Sequence, residues 1–176
     1  DLWAPLRSIP DLDAADGVTT MGGSTTRYEF AELNHARAPF DDGRVREAVA
    51  LATDREALVD FVLDGRGEPM NGGVIGPEGN PFHNGFDIYG APDLDRARAL
   101  LEQAGVSGVT VEGVALGGSR YADVLEVLQQ QWAAIGVTLN INAIEAGAAR
   151  ARRDEGDYDL YVNGWGTMID PNDFIG

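Results

Sequence analysis

The stretch VTVEGVALGGSRYADVLEVLQQQWAAIGVTLNINAI, Val109 to Ile144, decides the fold. Val109 to Leu116 is rich in β-formers and reads as a strand. Ser119 then stands where a helix N-cap is wanted, ahead of RYADVLEVLQQQWAAIG. Tyr121, Val124, Leu125, Leu128, Trp132 and Ile135 recur three or four residues apart, which makes one apolar helix face. After Gly136 the period changes to two: Val137, Leu139 and Ile141 alternate with Thr138, Asn140 and Asn142. A short helix around Ala146 to Arg153 and the strand YDLYVNGW (Tyr158 to Trp165) follow. Strand, helix, strand, helix, strand at these lengths predicts a largely parallel sheet flanked by helices.

Upstream of this unit, Asp93 caps LDRARALLEQAG, with Ala97, Leu100, Leu101 and Ala104 facing inward. RVREAVALA and DREALVDFVLD also read as helices. Thr53 with Glu56 fits a capping box, and Ala57, Leu58, Phe61 and Val62 form an inward face ended by Gly65 and Gly67. TTRYEFAELN (Thr25 to Asn34) reads as a strand, while Asp1 to Met21 is turn-rich. Gly65 to Pro92 is a long Gly/Pro/Asn loop. Loops of that length are usually functional or disordered, and its Phe82, Phe86, Ile88 and Tyr89 argue against simple disorder.

The 176 residues suffice for one domain with a core of its own. Asp and Glu number 29 against 13 basic residues, all of them Arg, for a net charge of −16. Such a surface repels phosphate backbones, so a nucleic-acid partner is not expected. The absence of Lys removes a Walker A loop, and the absence of Cys removes thiolate nucleophiles, zinc thiolates and disulfides. His35 and His83, the only histidines, stand in no metal-ligand spacing, and no metal or cofactor is expected. Asp41 and Asp42 in FDDG suit a turn and helix N-cap rather than a calcium loop. ARARR (Ala149 to Arg153) places arginine at the end of a helix, where it complements the dipole. No apolar run is long enough to span a membrane.

Two features carry candidate chemistry. Asp157 and Asp159 alternate onto one face, which leaves a carboxylate-dependent hydrolase as one alternative. A protein-interaction module is another. The last strand ends in Gly164-Trp165-Gly166, where a parallel sheet gathers ligands. The glycines permit close backbone approach and Trp165 offers a flat apolar wall; a core Trp before a turn fits the same residues.

The order of motifs resembles the family 5 extracellular solute-binding proteins, the dipeptide, oligopeptide and nickel receptors of ABC importers. That family runs Phe-Asn, Pro-Phe, Asp-x-Arg-Val-Arg-x-Ala, then Asp-Arg-Glu opening a helix. This chain has Leu33-Asn34, Pro39-Phe40, Asp42 to Ala48 and Asp54-Arg55-Glu56. APDLDRARALLEQAGV, QQQWAAIGVTLNI and GDYDLYVNGWGTMIDPNDF resemble later family segments in family order, so that the likeness covers Tyr28 to Phe174.

The resemblance implies a lobe of periplasmic-binding-protein type II architecture. Residues 1–176 are then expected to form a single α/β lobe, the second of two, excised from a longer chain. It implies an exported receptor that is not an enzyme, closes by a hinge on a peptide or related small solute, and delivers it to an ABC permease. A monomer, membrane-anchored in its full-length form and facing the periplasm or exterior, is expected. The residues assigned to the ligand are Trp165, Gly166, Thr167 and Met168, with Ile75, Phe82 and His83 from the long loop. Peptide-binding members carry, three residues after the Trp, an Asp that pairs with the ligand ammonium. Here Met168 holds that place, and a thioether cannot form the ion pair.

Overall fold

Gly113 sits in the middle of a strand, where a side chain is normally wanted for packing. A Cβ there would stand 2.8 Å from Leu125 Cδ2 and 2.9 Å from Leu139 Cδ1. The missing side chain lets a helix press directly onto the sheet. In this computed structural model, which describes residues 8–21, 27–72 and 88–166, that strand is β2 (Val109–Leu116) and the helix is α5 (Arg120–Ala133). Leu125 is fully buried between them; truncating such a side chain to Ala typically costs about 2–5 kcal/mol.

The described elements are α1 (Ile9–Asp13), β1 (Tyr28–Leu33), α2 (Gly43–Ala52), α3 (Arg55–Leu63), α4 (Leu94–Gln103), β2, α5, β3 (Val137–Ile144), α6 (Ala146–Asp154) and β4 (Leu160–Trp165). The four strands form one mixed sheet in the order β1-β4-β2-β3. β2 runs parallel to β3 and to β4, as the alternation of strands and helices predicts. β1 is antiparallel to β4, which places Tyr28 opposite Trp165 and Leu33 opposite Leu160.

The main core lies on one face. Val111, Ala115, Leu139, Leu160 and Val162 of the sheet meet Val45 and Val49 of α2, Ala97 and Leu101 of α4, and Leu125, Leu128 and Trp132 of α5. On the other face α6 covers a smaller cluster of Val114, Ala149, Tyr158 and Tyr161. Ser119 caps α5 by accepting from Tyr121 N, Asp93 caps α4 through Arg96 N, and Asp42 caps α2 through Arg44 N. These three follow the residue chemistry expected at a helix start.

The sequence expectations need correction in three places. Asp54, not Thr53, caps α3, accepting from Ala57 N at 2.9 Å. Thr53 is drawn inward instead: its hydroxyl donates to Val49 O at 2.7 Å and accepts from Trp132 Nε1 at 3.0 Å. Phe61 does not face the core. It is 78% exposed, and no residue of α3 is fully buried, because α3 packs along one side only, against α5. The turn-rich start holds the short helix α1, with Pro in its first turn.

Asn34 ties the end of β1 to the entrance of β4. Its Nδ2 donates to Gly156 O and Tyr158 O, each at 3.0 Å, and its Oδ1 accepts from Ala36 N. Arg46 Nη1 donates to the carbonyls of Phe40 and Asp41, which holds the turn before α2. The Asn and the second Arg of the motif series therefore act on the backbone.

Candidate functional site

The chain leaves β2 on one side through α5 to reach β3, then returns through α6 on the opposite face to reach β4, on the other side of β2. The sheet's connections thus reverse between β2 and β4. An open α/β sheet gathers ligands at such a reversal, beyond the carboxyl ends of the strands. The strands also part there. β2 and β4 pair only at Gly113–Leu160 and Val114–Tyr161, whereas β2 and β3 pair along their whole length.

The gap opens into a crevice of about 410 Å³. Leu116 comes from β2, Tyr121 from the start of α5, Tyr161 and Asn163 from β4, and Arg150 and Arg153 from α6. Ala146 and Ala149 keep the α6 wall low. Arg153 is engaged: its Nε lies 3.3 Å from Glu32 Oε2 and its guanidinium lies over the Tyr161 ring, 5.7 Å from the centroid. Tyr158 donates its hydroxyl to the same Glu32 at 2.7 Å. Burial, and then that bond to an anion, push the Tyr158 phenol up to about 12.

Beside the crevice stands Gly164. A Cβ at this position would lie 2.6 Å from the Tyr121 hydroxyl, 3.3 Å from Tyr28 O and 3.4 Å from Arg27 Nη2. Arg27 Nη2 donates to that hydroxyl at 2.8 Å. Arg120, next to Tyr121, pairs with Glu29 of β1. A polar cluster from β1, α5 and β4 therefore lies at the strand ends.

Trp165 closes β4 and is 43% exposed, so it is not a core residue. Gly166 follows it, exposed, with open space where a side chain would project. Thr167, Met168, Ile75, Phe82 and His83 lie outside the described residues. The structure places the first two of the expected ligand residues at the sheet's carboxyl end. It adds Arg27, Tyr121, Arg150 and Asn163, which the sequence did not single out as site residues. Tyr121 belongs to the apolar face of its helix and Arg150 to the basic run, and both also border the crevice.

The acidic pair, Asp157 and Asp159, is held in ion pairs. Arg37 bridges it, with Nη1 3.2 Å from Asp157 Oδ1 and Nε 3.4 Å from Asp159 Oδ1. Asp159 Oδ2 also accepts from Glu112 N at 2.8 Å, and Arg152 holds Asp157 from the other side. A larger hollow of about 580 Å³ lies between β1 and α2, at the opposite end of the sheet from Trp165. No group of three His, Asp or Glu side chains suited to a metal occurs among the described residues.

The profile of the bacterial extracellular solute-binding proteins, family 5 Middle, matches residues 1–176. The chain is 32% identical over 181 residues to di/tripeptide-binding protein 2 of Pseudomonas aeruginosa (strain UCBPP-PA14), covering 98% of this chain and 32% of that protein. The fold is similar to that of the periplasmic binding protein DppA from Helicobacter pylori in complex with the peptide STSA. The TM-score is 0.84 at 22% identity, over 97% of this chain and 33% of that one. It is similar too to AgaA of A. tumefaciens R10 in complex with agropinic acid, with a TM-score of 0.77 at 26% identity over 92% of this chain and 33% of that one. The chain spans about a third of the length of these relatives. With the profile running its whole length, the chain belongs to the bacterial extracellular solute-binding proteins, family 5.

Proposed function

We propose that this chain is one lobe of a two-lobe receptor that captures a peptide or related small solute outside the cell and presents it to an ABC permease. The observation that carries this is the parting of β2 from β4 at the point where the connections reverse, with exposed Trp165 beside it. A lobe built this way offers half of a cleft. The second half closes over the ligand by a hinge, and the closed form is what a permease distinguishes from the open one. Trp165 packs on the solute, Gly166 presents its backbone, and Thr167, Met168, Ile75, Phe82 and His83 complete this lobe's contacts.

The reading extends to the whole receptor: a monomer outside the cytoplasmic membrane, tethered beside its permease, without catalytic activity. The relatives' names support peptides as the solute class. The engagement of Asp157 and Asp159 by Arg37 supports a binding role over a hydrolytic one, since both carboxylates are held in ion pairs. No helix among the described residues is long and apolar enough to cross a membrane. Because Met168 replaces the ammonium-binding carboxylate, the peptide amine is held differently from that of the usual peptide-binding members.

Native mass spectrometry of the full-length polypeptide, purified gently from its own host, tests this. A ladder of bound peptide masses is expected. One discrete non-peptide mass would move the receptor to another solute class. An empty protein whose melting temperature no peptide pool raises would sink the peptide assignment.

A further inference from the structure

We infer that the crevice between β2 and β4 is an anion subsite of the solute cleft, built to take a carboxylate carried on the solute in addition to any terminal one. This rests on the receptor reading above and deepens it to a class of solute, the acidic peptide or its equivalent.

The first ground is Arg150. In a chain with 29 acidic residues and 13 arginines, charge pairing is the default. The other described arginines each hold a carboxylate, a hydroxyl or a backbone carbonyl. Arg150 has no hydrogen bond and no ion pair among the described residues, although it lines the crevice and Asp154 lies one helical turn away. Its neighbour Arg153 is already balanced by Glu32, and Asp154, which also lines the crevice, makes no ion pair with Arg150, so the Arg150 guanidinium is, among the described residues, the one positive group there that no partner holds.

The second ground is the set of neutral groups beside it. Asn163 accepts from Gly164 N through Oδ1 at 2.8 Å. That bond fixes which end of the amide is oxygen and leaves the Nδ2 hydrogens as donors without a protein partner among the described residues. The Tyr121 oxygen accepts from Arg27, so its own proton remains to be donated. Arg150 and the Asn163 amide bring two uncommitted donor groups, one of them cationic, to a crevice that Tyr121 also borders. That complement suits an acceptor-only group of single charge, a carboxylate. A dianion would be left under-neutralised in a chain of net charge −16. The low wall at Ala146 and Ala149 leaves room for an acidic side chain.

The test is calorimetry on the full-length receptor with Ala-Glu and Ala-Gln, which match in shape and differ by one charge. The receptor is expected to favour Ala-Glu by about tenfold or more, the worth of one charged hydrogen-bonded contact. Arg150→Gln should bring the ratio to about one, with an unchanged circular dichroism spectrum, because the side chain is exposed and holds nothing. Equal affinities in the wild type, or a preference that survives Arg150→Gln, would overturn the subsite while leaving a peptide receptor standing. If neither peptide binds, the peptide reading falls, and glutarate decides the crevice alone. Saturable heat that disappears in Arg150→Gln supports the subsite, and no heat refutes it.

Discussion

The hydroxyl of Tyr121 fills the space that a side chain at Gly164 would need, 2.6 Å from an added Cβ, while accepting a hydrogen bond from Arg27. Glycine is thus required at this strand position by an aromatic from another element, independently of any ligand. Gly164→Ala should displace Tyr121 and break its bond to Arg27. Overpacking of this kind typically costs about 1–3 kcal/mol. Combining it with Tyr121→Phe removes the closest contact, and most of the lost stability should return. Urea titrations of the two variants check this; a double variant no more stable than Gly164→Ala would show that Tyr28 O, at 3.3 Å, is the real obstacle.

A second prediction concerns the buried bond between Trp132 Nε1 and Thr53 Oγ1, at 3.0 Å. Both residues are buried, so Thr53→Val leaves the indole N–H without a partner. An orphaned buried donor costs about 1–3 kcal/mol. Thr53→Ser keeps the hydroxyl and should lose much less. If thermal denaturation shows valine and serine to be equally mild, water must reach the indole.

This same pair shows where the sequence was legible. β2 and β3 were read to the residue, Val109–Leu116 and Val137–Ile144, because local alternation there agrees with the tertiary burial and Ser119 marks the helix between them. The start of α3 was misread because Thr53 and Asp54 are both good caps. What separates them is Trp132, far away in sequence, which draws the threonine hydroxyl into the core. Phe61 was misread for a related reason: periodicity reports that a helix has an apolar face, whereas neighbours decide whether that face is covered. The crevice was illegible because Tyr121, Arg150 and Asn163 come from three elements and meet only once the sheet's connections reverse.

Glu112 yields a pH prediction. It stands on the polar face of β2 and accepts from Asn140 Nδ2 at 2.7 Å and from Asn142 Nδ2 at 2.6 Å. These two amides, Asn140 first, hold its carboxyl below the usual glutamate range. A depressed folded-state value means that its stabilisation is complete above the unfolded value, about 4.3, and is lost as pH falls through the folded one. The stability difference between wild type and Glu112→Gln should therefore be constant from pH 7 to about 5 and shrink below that. A difference that holds down to pH 3 would mean the amides do not favour the charged form.

Trp165 separates stability from function. It ends β4 opposite Tyr28 and is 43% exposed, so much of its surface remains in water in the folded lobe. Area left in water contributes nothing to folding, and Trp165→Ala should cost about 2–3 kcal/mol, below the 3–5 kcal/mol typical of a fully buried Trp. In the proposed cleft the same surface is covered by solute, and a desolvated aromatic anchor removed to alanine commonly loses 2 kcal/mol or more of binding, about thirtyfold. The full-length Trp165→Ala receptor should then stay folded, melting below the wild type, yet retain little of the peptide that copurifies with it. A folded variant that carries the same peptide load would place the solute elsewhere, and with it the sequence's reading of the Gly-Trp-Gly stretch would fall.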